Sequence, residues 1–169
     1  SSTSRGLGDV YKRQCFGVPS AADPRLMGLS GTSFETGNQL KITTQLARHK
    51  TDRQRQAVVL QNGKHAVTRV RVIKELAGGA AALVECKLET GRTHQIRVHM
   101  SYAGHALIGD QIYSRRRKLA GPHSDVAKEF PRQALHAASL GFRHPISGRD
   151  MYFKAPVPVD MLDLMSAMD

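Results

Sequence analysis

The chain has 169 residues, 40% of them hydrophobic, which suits one domain with a core and is short for two. Its 25 Lys and Arg against 14 Asp and Glu give a formal charge of +11, which favours a polyanionic partner with nucleic acid first, although the charge needs a site to support it. Cys15 and Cys86 form no CxxC pair, no apolar run approaches the roughly 18 residues of a membrane span, and the start lacks the apolar core of a signal peptide, so reduced thiols and a cytoplasmic location are expected.

Ser4 to Gln14, SRGLGDVYKRQ, reads codon for codon as a translated tagmentation sequencing adapter, ending in the transposon mosaic end at Asp9 to Gln14. Residues 1–14 are therefore expected to be a non-native tail without chemistry, with native sequence from about Cys15. The alternative is a genuine flexible N-terminus. Setting aside Arg5, Lys12 and Arg13 against Asp9 leaves 11 − 2 = +9, so the basic character survives.

Cys15 to Asn38 is rich in Gly, Pro, Ser and Ala and predicts a strand stub followed by loop. Leu40 to His49 and Arg53 to Leu60 read as strands, and the dipeptide Asn62-Gly63 suggests that the second turns into a hairpin. Lys64 to Ile73 alternates with period two and many β-branched residues, which predicts a strand. Gly78-Gly79 turns it into a further strand over Ala80 to Leu88, giving an antiparallel meander. Thr90-Gly91 ends that strand, and Thr93 is placed to cap a helix over His94 to Ala103, stopped by Gly104. Gly104 to Asp110 predicts a compact loop, and Arg115 to Glu129 an exposed polar stretch. Leu135 to His144 and Met151 to Ala155 read as strands joined by a turn at His144 to Gly148, and Val159 to Met168 carries apolar residues at helical intervals. Strands in runs with few helices between them predict an α+β domain with a mixed, mainly antiparallel sheet and short helices.

The densest polar cluster, Leu88 to His99, crowds two arginines, two histidines and a glutamine at a strand-to-helix junction. A helix N-terminus beside Arg92 attracts phosphate, and His94 and Arg97 share a helix face. A solvated basic turn with a capping threonine explains the same residues, and spacing alone does not choose. The run Arg115-Arg116-Arg117-Lys118 is open in the same way, between a solvated face and a phosphate contact. Eight histidines include no HExxH and no paired His/Cys spacing, so no metal site is expected, and His136 and His144 read as packing and turn residues.

Four blocks in order, ETGRTHQIRVHM, GHALIGDQIY, LHAASLGFRHP and FKAPVP, resemble the RluA/RluC/RluD-type RNA pseudouridine synthases. Weaker similarity reaches back through Arg48-His49, Asp52-Arg53 and Gly63 to Thr68 as far as Gly17-Val18-Pro19. The resemblance implies an isomerase that breaks the bond between uracil N1 and ribose C1′, turns the base and rejoins it through C5, with a catalytic Asp and neither cofactor nor metal. Its substrate would be uridine in structured RNA, with large-subunit ribosomal RNA first. It also implies that Arg97 partners the catalytic Asp, that Arg92, Thr93, His94 and Gln95 bind substrate, and that Leu107 and Ile108 lie where an apolar side chain packs on the flipped base. Ala106 stands where the family has proline, which removes no chemistry.

No segment resembling HRLDxxTSG, the carrier of the catalytic Asp, occurs in these residues; Asp110 reads as structural and Asp52 as peripheral. Residues 15–169 are accordingly expected to be the C-terminal part of the catalytic domain and inactive as they stand. A family tyrosine falls in register with Tyr11, but the lysine expected two places earlier is Asp9, and the register is taken as coincidence. The alternative class is a non-catalytic RNA-binding module using the same basic face.

Overall fold

A computed structural model describes residues 10–114, 135–143, 150–154 and 158–161. Their strands form one sheet: β1 (Val10–Phe16), β2 (Thr32–Glu35), β3 (Gln39–Arg48), β4 (Gln56–Val59), β5 (Lys64–Leu76), β6 (Ala81–Leu88), β7 (Leu135–Arg143) and β8 (Asp150–Lys154). The order is β2-β3-β5-β6-β1-β7-β8, with β4 also on β3, and every pairing among the described residues is antiparallel. Among the described residues it is accompanied by the α-helices α1 (Pro24–Met27) and α2 (Gln95–Tyr102). The α+β expectation holds.

Alternation along β6 divides the core between the two sheet faces. Ala82, Val84 and Cys86 point to one side, where they pack with Leu40, Ile42 and Val70 under Ile96, Met100 and Ala103 of the α2 region. Ala81 and Leu83 point to the other, against Phe16, Leu76, Ala106, Ile108 and Met161. The segment after α2 prolongs this alternation: Leu107 bridges Cys15, Phe16 N–H donates to Ala106 O (2.9 Å), and Ile108 N–H donates to Gln14 O (3.0 Å). Residues 106–108 thus continue the edge of β1 where β7 stops pairing, so Leu107 faces one core and Ile108 the other.

Several expectations are corrected. The segment 15–38 is more than a stub and loop: α1 forms where Asp23 accepts from Arg25 N–H (3.0 Å) and Pro24 sits at the first turn, and β2 follows. The first strand begins at Val10, five places before Cys15, and is paired on both sides. Asn62-Gly63 closes no hairpin between β4 and β5. Both strands pair with β3, and Gln45 faces Val59 on one side and His65 on the other, so the turn carries the chain past the end of β3 to its opposite edge. Thr93 caps nothing; α2 begins at Gln95 with His94 at the cap in left-handed conformation (φ 54°). The 115–129 stretch, including Arg115 to Lys118, and the 144–148 turn lie outside the described residues, as do the side chains of β7 and β8 with His136. Of the expected C-terminal helix, 159–161 is described and helical.

Candidate functional site

The junction between β6 and α2 is built around the buried Gln95 amide. Its Nε2 donates to Val67 O and Thr68 Oγ1 (both 2.9 Å), while its Oε1 accepts from Arg92 N–H (3.0 Å) and the Thr90 hydroxyl (2.8 Å). Thr90 Oγ1 in turn accepts from Val67 N–H (3.0 Å). A glutamine has two donors and two acceptor sites, and all four are used here. The loop is thereby fastened to β5, and Arg92, whose Nε donates to His65 O (2.9 Å), is aimed from it.

Two residues along α2, Arg97 grips Asp110 as a fork, Nε to Oδ2 at 2.8 Å and Nη2 to Oδ1 at 2.9 Å. Asp110 is buried and also accepts from the backbone N–H groups of Ile112 and Tyr113, both at 3.0 Å. Desolvation alone would raise its carboxyl, but Arg97 and the two amides outweigh that, and the net shift is downward. The same bonds to Asp110 raise the Arg97 guanidinium.

Tyr113 completes the cluster. Its ring lies 5.0 Å from Arg97 Cζ and 5.5 Å from Arg55 Cζ, and meets His94 edge-on at 5.7 Å. The hydroxyl accepts from Gln56 N–H (2.8 Å) and lies 2.9 Å from His94 Nδ1. Desolvation, then the charge of Arg97, lowers the His94 pKa and favours neutral imidazole. With the Tyr113 hydroxyl donating to Nδ1, the tautomer that completes the network keeps its proton on Nε2.

These residues flank a cavity of about 420 Å³ with an apolar floor at Leu88 and Ile96. Arg92, His94, Gln95 and Arg97 line it from the α2 side, Tyr11 and Arg13 from β1, and no carboxylate is among its lining residues. Arg13 is buried, and desolvation brings its pKa down to about 10. It lies 4.8 Å from the Tyr11 ring centre and donates to Lys12 O (3.0 Å), with no acidic partner among the described residues. The cavity therefore combines apolar side chains with guanidinium groups, a lining suited to a planar base with its phosphate.

A model of the RNA pseudouridylate synthase family matches residues 21–102, from α1 through the end of α2. A protein named Ribosomal large subunit pseudouridine synthase D from Zymomonas mobilis is 50% identical over 123 residues, which covers 71% of this chain and 37% of that protein. One of the same name from Neisseria meningitidis serogroup A is 47% identical over 133 residues, covering 76% and 34%. The chain belongs to the RNA pseudouridylate synthase family. It spans little more than a third of the length of these relatives. The solved structure of Human RNA Pseudouridylate Synthase Domain Containing 1 superposes with a TM-score of 0.63 at 24% identity, covering 90% of this chain and 55% of that one, and bears out the fold.

Within this family member, Arg92, His94, Gln95 and Arg97 converge on one cavity, as grouped in the sequence. Thr93 does not line it; with Arg92 it borders a neighbouring hollow. Leu107 and Ile108 are wholly buried in the two cores, so neither presents a surface to the cavity in this structure. Sequence reasoning assigned no role to residues 1–14, whereas Tyr11 and Arg13 form a wall. It also missed Tyr113, whose one signal was its place at the end of the GHALIGDQIY block, and gave Asp110 no partner. His99 is a different case: buried, 2.8 Å from Thr44 Oγ1 and 2.7 Å from Thr68 Oγ1, and pushed down to about 4 by desolvation, it pins α2 to β3 and β5. Among the described residues no three His, Cys, Asp or Glu side chains cluster to hold a metal.

Proposed function

We propose that this chain forms part of a cytoplasmic RNA pseudouridine synthase acting on uridines of ribosomal RNA, that of the large subunit first. The observation carrying this is the cavity lined by Arg92, His94, Gln95 and Arg97 of the GRTHQIR junction, in a chain whose relatives bear the name Ribosomal large subunit pseudouridine synthase D. A base must leave the stack to have its glycosidic bond broken and remade, so the site needs a pocket, a grip on phosphate and a carboxylate held ionised. The floor at Leu88 and Ile96 suits the base, and Arg92 the phosphate. Arg97 spends Nε and Nη2 on Asp110, which fixes its plane, and its Nη1 remains for a second carboxylate. That carboxylate belongs to a segment resembling HRLDxxTSG, which these 169 residues do not contain, and the chain alone is proposed to be inactive.

Rejoining uracil through C5 releases the C5 hydrogen to solvent, so RNA carrying 5-tritiated uridine reports turnover directly. The chain alone is expected to release no tritium, and the same chain extended upstream by its HRLD-bearing sequence to release it. Silence from the extended protein would leave only the non-catalytic RNA-binding reading, and release by the chain alone would overturn the account of the carboxylate. In the extended protein Arg97→Ala is expected to abolish release while weakening RNA binding less; equal losses would make Arg97 a phosphate contact.

The adapter origin of residues 4–14 is part of the same proposal. It is supported by the string SRGLGDVYKRQ itself, which matches the adapter codon for codon.

A further inference from the structure

Beside the cavity at His94 lies a second hollow of about 390 Å³, and Arg92 borders both. Three distant stretches meet there: the end of β3 with Arg48, the turn into β5 with Lys64, and the loop before α2 with Gly91 and Arg92. Its lining carries three cations and no Asp or Glu. Among the described residues none of the three is in an ion pair, whereas Lys12, Arg25, Arg69, Arg71 and Arg97 are each matched by a carboxylate. Three like charges held around one hollow repel each other, and that arrangement becomes favourable when an anion enters.

Two further features suit a chain of phosphates. Arg92 is held by its Nε on His65 O and lines the hollows on either side. Gly91 is exposed, and a Cβ there would meet nothing within 4 Å, so the backbone is open to close approach. Gly63 forms a packed wall instead: a Cβ would fall 2.6 Å from Val59 Cγ2 and 2.8 Å from Gln45 Cβ.

We propose that the hollow formed by Arg48, Lys64 and Arg92 binds the RNA backbone flanking the nucleotide held in the neighbouring cavity. Arg92 stands at the junction, so a strand whose base enters one cavity lays its adjoining phosphates in the other. The contacts are to backbone and carry no base information. The proposal rests on the RNA reading given above and assigns that RNA its path.

The test uses a fluorescein-labelled RNA hairpin with a uridine loop, its affinity for the chain followed by anisotropy from about 50 to about 200 mM salt. Arg48→Gln and Lys64→Gln are each expected to weaken binding and lower the slope of log affinity against log salt by about 1. Lys64→Arg should restore the slope, and a hairpin with cytidine in the loop should lose affinity by the same factor. Lys87→Gln, which removes an exposed charge lining neither cavity, controls for net charge. Unchanged slopes in Arg48→Gln and Lys64→Gln, or an equal fall in Lys87→Gln, would overturn the assigned path while leaving RNA binding intact. Failure of the unsubstituted chain to bind either hairpin would instead sink the RNA reading itself.

Discussion

Acidification from pH 7 to pH 4.5 is expected to cost this domain about 2 kcal/mol through one side chain, His99. Its two ring nitrogens are held by Thr44 and Thr68 in the buried layer between α2 and the sheet, and burial brings its pKa from 6.5 down to about 4. A neutral imidazole has one N–H and one lone pair, so one threonine accepts and the other donates; a second proton would turn an acceptor into a donor and bury a charge. Because the folded pKa lies below the unfolded one, the unfolded chain binds more protons across the window. The stabilisation is therefore complete above about pH 6.5 and is lost as pH falls toward 4. At 1.36 kcal/mol per unit, about 2.5 units set a ceiling of about 3 kcal/mol, of which about 2 is spent by pH 4.5. Urea unfolding of the chain and of His99→Gln at pH 7, 6, 5 and 4.5 measures it. The glutamine keeps hydrogen-bonding capacity but not the titration, so its stability should fall less over this range by about 2 kcal/mol. His94, Asp110 and Glu85, also displaced downward, are common to both proteins and cancel in the difference. Parallel decline of the two curves would refute the assignment of the effect to His99.

Asp110→Ala should destabilise the chain by about 3 kcal/mol at pH 7, because it strands the Arg97 guanidinium and frees the amides of Ile112 and Tyr113; denaturant midpoints check it. Arg13→Leu should stabilise by about 1 kcal/mol, since it replaces a buried cation that has no acidic partner among the described residues by an apolar group. A lower melting temperature in that variant would mean that Arg13 has a favourable role in the folded strand.

The sequence by itself was enough to determine what depends on neighbours along the chain. Period-two alternation marked β5, and the Gly78-Gly79 turn placed β6 after it, to within a few residues, because strand and turn preferences act over a handful of positions. The grouping of Arg92, His94, Gln95 and Arg97 was equally legible, since six consecutive positions at a strand-to-helix junction cannot lie far apart. The helix start was misplaced because Thr93 satisfies the local capping rule, whereas the tertiary bonds of Gln95 to β5 force His94 into the cap. Only the tertiary structure decided that Asn62-Gly63 passes β3 instead of closing a hairpin, that Asp110 and Tyr113 return to Arg97, and that Arg48 and Lys64 meet Arg92. Each depends on which strand takes which edge of β3 and on how a loop crosses back over α2. That choice is settled by burying two sheet faces at once, a condition on the whole chain that no short stretch of sequence carries.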